Sequence, residues 1–239
     1  MRRNPTLLVG WVAALATIAA FCALGVWQLG RQHEKQAMLD EVAATIAART
    51  PLALVAASDP ARTRGYDWAG GAGHFAEVPA VLLDNQQRGG RAGVRAYRVF
   101  VPDEGSPPVL VELGWLPLPG DRTLPAIPRP TGDREVSGLL APPPSHGIGP
   151  TGTAAQPDGT LLAIGLDPAA LAQALHLPGL APRVLKLDPQ VDLGYARDLD
   201  VLPNTLPPER HLGYAVQWFA LAIAVLATAL VLTFRRPRP

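Results

Sequence analysis

The sequence predicts a membrane α+β protein: two transmembrane helices flanking a β-rich extracytoplasmic domain, an antiparallel sheet or small barrel with one or two helices. Three observations carry this. Apolar residues concentrate near the two ends of the 239-residue chain, in long runs without charge. The stretch between them holds short aliphatic runs bounded by Gly, Pro and Asp/Asn, the punctuation of strands and turns. Charged residues make up 17% of the chain, against about 25% in an ordinary soluble domain, and the mean hydropathy is positive at +0.14. The 26 prolines and 23 glycines follow no period, which excludes a collagen-like repeat. A single cysteine, Cys22, excludes a disulfide framework, a cysteine zinc site and an iron–sulfur cluster within one chain.

The first apolar run, Leu7 to Leu29, is 23 uncharged residues, and the second, Ala215 to Phe234, is 20. A helix needs about 20 such residues to cross a bilayer core. A cleaved signal peptide is the alternative for the first run, but its apolar part is usually about 7–15 residues, so retention as an anchor is expected. Arg2 and Arg3 precede the first run, and Arg235, Arg236 and Arg238 follow the second. The positive-inside rule then puts both termini in the cytoplasm. The expected organisation is residues 1–6 cytoplasmic, 7–29 first span, 30–211 periplasmic, 212–234 second span and 235–239 cytoplasmic, in a bacterial inner membrane. Five of the 21 Lys and Arg lie at those tips, leaving 16 against all 20 acids in the central region. That acidic balance excludes nucleic acid as a partner. Ala16 with Ala20, and Ala220 with Ala224 and Thr228, have the small-xxx-small spacing of a helix–helix contact, so they are expected to join the two spans.

After the first span, Leu39, Val42 and Ile46 keep helical spacing, so the helix continues as a stalk until Pro51. A loop is expected over the Gly-rich stretch Gly65 to Gly73. Short strands are expected in HFAEVPAVLLDN, RAYRVFVP, PVLVELGWLP, REVSGLLAP and GTLLAIGLD, with RVLKLD as the last. Five prolines between Leu116 and Pro130 argue for a structured loop. Asp167-Pro168 is a helix start, and Pro207-Pro208-Glu209 suits entry into the second span.

Enzyme chemistry finds little support. Gly147 to Gly152 satisfies G-x-G-x-x-G, but prolines precede it and no helix follows, so no dinucleotide site is expected. Ser137 lacks a nucleophile context. His74 and Glu77 form an H-x-x-E pair, too few ligands for zinc. His33, His146 and His176 read as surface residues. An anchored periplasmic enzyme is therefore the weakest class.

The junctions carry more. Trp27 and Gln28 end the first span, and His211, Tyr214, Gln217 and Trp218 open the second. At 100° per residue, Trp218, Tyr214 and Gln217 fall within about 120° of His211. An aromatic belt accounts for Trp27, Tyr214 and Trp218, but not for two glutamines and a histidine at the same depth. Such polar groups face a partner helix or cavity, and a histidine there can ligate haem iron. Both accounts stay open on physics alone.

The same residues resemble the surfeit-locus (Surf-one/Shy-one) family of cytochrome c oxidase assembly factors. Leu24-Gly25-Val26-Trp27-Gln28 through Arg31 and Lys35 matches the pattern L-G-x-W-Q-x-x-R-x-x-x-K, and His211 to Phe219 matches H-x-x-Y-A-x-Q-W-F. Leu83-Asp84-Asn85 and the strand Val109 to Pro117 sit where the family has its L-D-N and G-W-x-P blocks. Two departures stand out: Gln86 follows L-D-N in place of Arg, and Glu112-Leu113-Gly114-Trp115 replaces N-R-G-W. Arg88 or Arg91 are the candidates to replace a missing cation. The resemblance implies a non-enzymatic helper in haem-copper oxidase assembly, acting in haem a delivery to the catalytic subunit. It implies His211 as the axial ligand, with Tyr214, Gln217 and Trp218 around the ring and Gln28 and Trp27 opposite. The catalytic subunit, the haem a synthesis enzyme and the lipid bilayer are the implied partners. A scaffold that docks oxidase subunits without binding haem is the alternative.

Overall fold

A computed structural model describes residues 5–144, 152–202 and 205–235. The chain forms two compact units, Met1–Asp40 with Thr205–Pro239, and Glu41–Asn204.

The first unit consists of two helices. Helix α1 runs Pro5–Ala48, its last turns belonging to the other unit, and α3 runs Pro208–Phe234. Both are long and apolar enough to cross a membrane. They pack antiparallel: Trp11 Nε1 donates to Thr233 Oγ1 at 3.0 Å near one end, and the Phe21 and Trp218 rings lie 5.4 Å apart farther along. Helix α3 starts as its prolines require. Pro207 caps it in extended conformation and Pro208 takes the first helical position, where a missing N–H costs nothing.

The second unit is built on a nine-stranded sheet. Its strands are β1 Leu52–Ala53, β2 Asp67–Phe75, β3 Val81–Arg88, β4 Arg91–Pro102, β5 Val109–Pro117, β6 Asp133–Ala141, β7 Thr153–Ala155, β8 Leu161–Ala163 and β9 Val184–Leu187. The order is β1-β2-β6-β9-β5-β4-β3-β8-β7, and β2 also pairs with β4. That extra pairing closes β2, β6, β9, β5 and β4 into a ring, with β3, β8 and β7 extending from it. The sheet is thus larger than the antiparallel sheet or small barrel expected, and it is mixed: β1–β2, β3–β8 and β5–β9 are parallel. A parallel neighbour needs a long crossover. The connection from β1 to β2 is one, through short 3-10 turns, and the connection from β8 to β9 carries helix α2, Pro168–Ala174, which Asp167 caps by accepting from Ala169 N and Ala170 N.

The ring encloses the main core. Phe75, Val94, Phe100, Val111, Val136, Leu140, Leu185 and Leu187 are buried there, with Leu54 and Ala57 of a 3-10 turn, Leu54–Ser58. A second cluster on the other face of β3, β4 and β5 packs Tyr97, Val99 and Leu110 against Leu171 and Leu175. Strand β2 corrects the expected Gly65–Gly73 loop. A Cβ on Gly73 would stand 2.2 Å from Val101 O, so glycine permits the close pairing of β2 with β4 that shuts the ring. Within this unit the last turn of α1 is fastened to the sheet. Arg49 pairs with Asp188 at 2.8 Å and lies over the Trp68 ring.

Candidate functional site

Four residues of α1 recur on the stripe that meets α3. Trp11, Phe21, Gly25 and Gln28 follow a 3.6-residue period, and the matching stripe on α3 holds His211, Ala215, Trp218, Ala222 and Thr233. Gly25 lets the helices approach: a Cβ there would lie 2.7 Å from the Phe219 ring. The expected small-residue contact is corrected by this geometry. Ala16, Ala20, Ala220, Ala224 and Thr228 are all exposed. The packing is a glycine under an aromatic ring on a neighbouring stripe, not an alanine seam. Ala224 and Thr228 instead line a lateral apolar cavity of about 570 Å³ with Gly10 and Ala14.

Close approach at Gly25 sets the next polar contact one turn on. His211 is 8% exposed, and its Nδ1 lies 2.7 Å from Gln28 Oε1. A carboxamide oxygen only accepts, so Nδ1 carries the proton and donates it. Nε2 is left with a free lone pair, and that atom is buried without a hydrogen-bond partner. An orphaned buried acceptor costs about 1–3 kcal/mol. Its partner nitrogen is held in the way that metal-bound histidines are oriented by a second hydrogen bond.

The other expected site residues divide. Trp218 packs against Phe21 on the same stripe. Trp27 is 57% exposed, Tyr214 is 39% exposed and Gln217 is exposed, so none of the three joins the His211–Gln28 pair. Two cations of α1 do bear on it: the charges of Lys35 and Arg31 both reach the His211 imidazole. Lys35 Nζ donates to Leu206 O, just before α3, and Arg31 pairs with Glu34 at 2.7 Å.

The sheet holds a buried charge network that the sequence reading missed. Glu112 on β5 accepts from Arg95 on β4, from Lys186 Nζ on β9 at 2.8 Å and from Tyr97 Oη at 3.1 Å. All four residues are at most 4% exposed. Burial alone would raise the Glu112 carboxyl, but Lys186 and Arg95 outweigh it and hold the group below the usual carboxylate range. Burial first, and then Glu112, push the Tyr97 phenol well above its ordinary range. The available signal was a charged residue between apolar or small neighbours in each of three runs: Arg95 in GVRAY, Glu112 in VLVELGW and Lys186 in VLKL. Neither Arg88 nor Arg91 replaces a cation at the L-D-N block: Arg88 pairs with Asp198 at 3.3 Å and Arg91 is exposed, whereas Asp84 is met by Arg122 at 2.7 Å.

The remaining histidines carry no site among the described residues. His33, His74 and His176 are exposed, Glu77 is engaged by Arg129 at 2.7 Å, and no group of three His, Cys, Asp or Glu could hold a metal ion. His146 and Gly147 to Thr151 of the glycine motif lie outside the described residues.

Two helices long and apolar enough to cross a membrane, one on either side of the β unit in the chain, with polar groups paired where the helices meet, fit the class of membrane proteins. The SURF1 family model matches residues 15–223, most of the chain, and the protein belongs to that family, which is linked to cytochrome oxidase assembly. A comparison with curated proteins finds no match.

Proposed function

We propose that this protein assists delivery or insertion of haem a into the catalytic subunit of cytochrome c oxidase, with His211 as the axial ligand to the haem iron. The observation that carries the reading is the buried, unpartnered Nε2 of an imidazole whose Nδ1–H is tied to Gln28. Neutral imidazole nitrogen is a donor that haem iron accepts, and the junction of the helices is within reach of a lipophilic porphyrin. Bound haem would supply an iron with an open coordination position; the chain supplies the lone pair and holds it still. Trp218, beside Phe21, would bound the ring on the α3 side, and Trp27, Tyr214 and Gln217 are free to meet the haem or its recipient. In this reading haem a passes from its synthesis enzyme to the oxidase subunit across the bilayer surface. The protein lies in a bacterial inner membrane, with both termini cytoplasmic and residues 30–211 periplasmic.

The test is the Soret band of protein purified in detergent from cells that make haem a. His211→Ala is expected to lose the band while accumulating normally in the membrane. An unchanged spectrum and haem content in the variant would sink the ligand assignment. The scaffold reading has one observation in its favour, the outward exposure of Trp27 and Tyr214. Under it, alanine at those two positions impairs oxidase assembly and His211→Ala does not.

A further inference from the structure

Arg31 and Lys35 belong to the junction motif, yet the axial-ligand reading gives them no task. Gln28, Arg31 and Lys35 are three and four residues apart, so they rise along one side of α1 from the His211 contact. Lys35 is anchored beside the start of α3 through Leu206 O, and both cations act electrostatically on the His211 ring. Two positive charges beside a buried neutral ring do nothing to stabilise it. Among the described residues their carboxylate contact is Arg31 with Glu34, an exposed pair of the kind worth about 0–1 kcal/mol, and Lys35 forms no ion pair there. A porphyrin carries the missing charge: two propionate carboxylates on one edge of the ring, about two helical turns from an iron at its centre, the spacing of Lys35 from Gln28.

We propose that Arg31 and Lys35 form an anion subsite that receives the propionate carboxylates of a haem whose iron is held by His211. The subsite rests on the haem reading above. It gives the junction three points of contact along one line: a lone pair from His211, orientation from Gln28, and charge from Arg31 and Lys35. It also fixes the sense of binding, with the carboxylate edge toward the aqueous side and the apolar edge toward the lipid.

The experiment titrates the full-length protein in detergent with ferric haem b and with its dimethyl ester, following the Soret band. The ester keeps iron and ring and removes both charges. The wild type is expected to bind the diacid roughly ten- to one-hundred-fold more tightly than the ester, the range of hydrogen bonds to charged groups. Arg31→Gln with Lys35→Gln should abolish that preference by weakening diacid binding alone; unchanged ester binding in the same variant reports an intact fold. Lys35→Arg should retain the preference. Equal binding of the two haems by the wild type, or equal weakening of both in the double variant, overturns the subsite while leaving the axial ligand standing. No Soret change with either haem removes the haem reading, and the subsite with it.

Discussion

Two residues in this chain are buried with their chemistry only half used, or fully used, and the contrast separates site from scaffold. His211 keeps a free Nε2 because Gln28 occupies only its other nitrogen. Gln28→Leu would strip that orienting bond, and loss of such a partner typically costs 10–100-fold in metal affinity. The expected outcome is a haem affinity lowered by about that factor with the Soret position little changed; Gln28→Glu, which keeps an accepting oxygen, should bind nearly as wild type. Glu112 is the opposite case, with both oxygens engaged by Arg95, Lys186 and Tyr97. Glu112→Gln removes the anion from a site holding two buried cations and should destabilise the β unit by about 3–5 kcal/mol, read as a lowered thermal midpoint. The sign of its pH dependence follows from the lowered carboxyl. A group ionising more readily in the folded state adds stability above its unfolded value of about 4.3 and loses it as pH falls through the folded one. The gap between wild type and Glu112→Gln should therefore narrow on acidification below about pH 4.

Among the elements, the helix pair depends on one small residue. Gly25→Val would push the Phe219 ring from its seat, an overpacking that costs about 1–3 kcal/mol. It should lower the thermal midpoint in detergent and also weaken haem binding, since Gln28 follows Gly25 by one turn. Ala224→Leu points into the lateral cavity and should leave both unchanged; a loss there equal to that of Gly25→Val would mean that the alanine stripe forms the contact after all. Here the limit of sequence reasoning is visible. Two antiparallel apolar helices could be read from run length and flanking charge, but several small-residue stripes coexist on each, and only packing selects one. The same holds for the sheet. Six strands and the α2 cap were legible, the strands as aliphatic runs between Gly, Pro and Asp. Strand β2 was not, because its glycines read as loop when their task is to admit β4 and β6 at close range. The parallel insertion of β9 beside β5 leaves no local mark, since register across a long crossover is decided by tertiary packing.

For the whole molecule, the two apolar helices make the side on which the β unit lies a question of charge rather than of fold. Arginine clusters stand at the outer ends of the apolar runs, Arg2 with Arg3 and Arg235 with Arg236 and Arg238, against the single Arg31 and Arg210 at the inner ends; clustered Arg favours the cytoplasmic side, and the acidic excess of the central region contributes little. The junction residues were legible for a related reason. His211 and Gln28 are polar at a depth where a transmembrane helix is otherwise apolar, so their pairing could be suspected, while Arg95, Glu112 and Lys186, polar residues of a β unit, carried no such contrast. Under the proposed topology, a haem site at the junction would open on the periplasmic face. Alkaline phosphatase, which needs an oxidising compartment to fold, should be active when fused within the loop between β5 and β6, near residue 130, and inactive when fused after residue 235. A cytoplasmic reporter should give the reverse at both positions. Phosphatase activity only at the C-terminal fusion would invert the topology. His211, Arg31 and Lys35 would then face the cytoplasm, on the wrong side for the transfer proposed here.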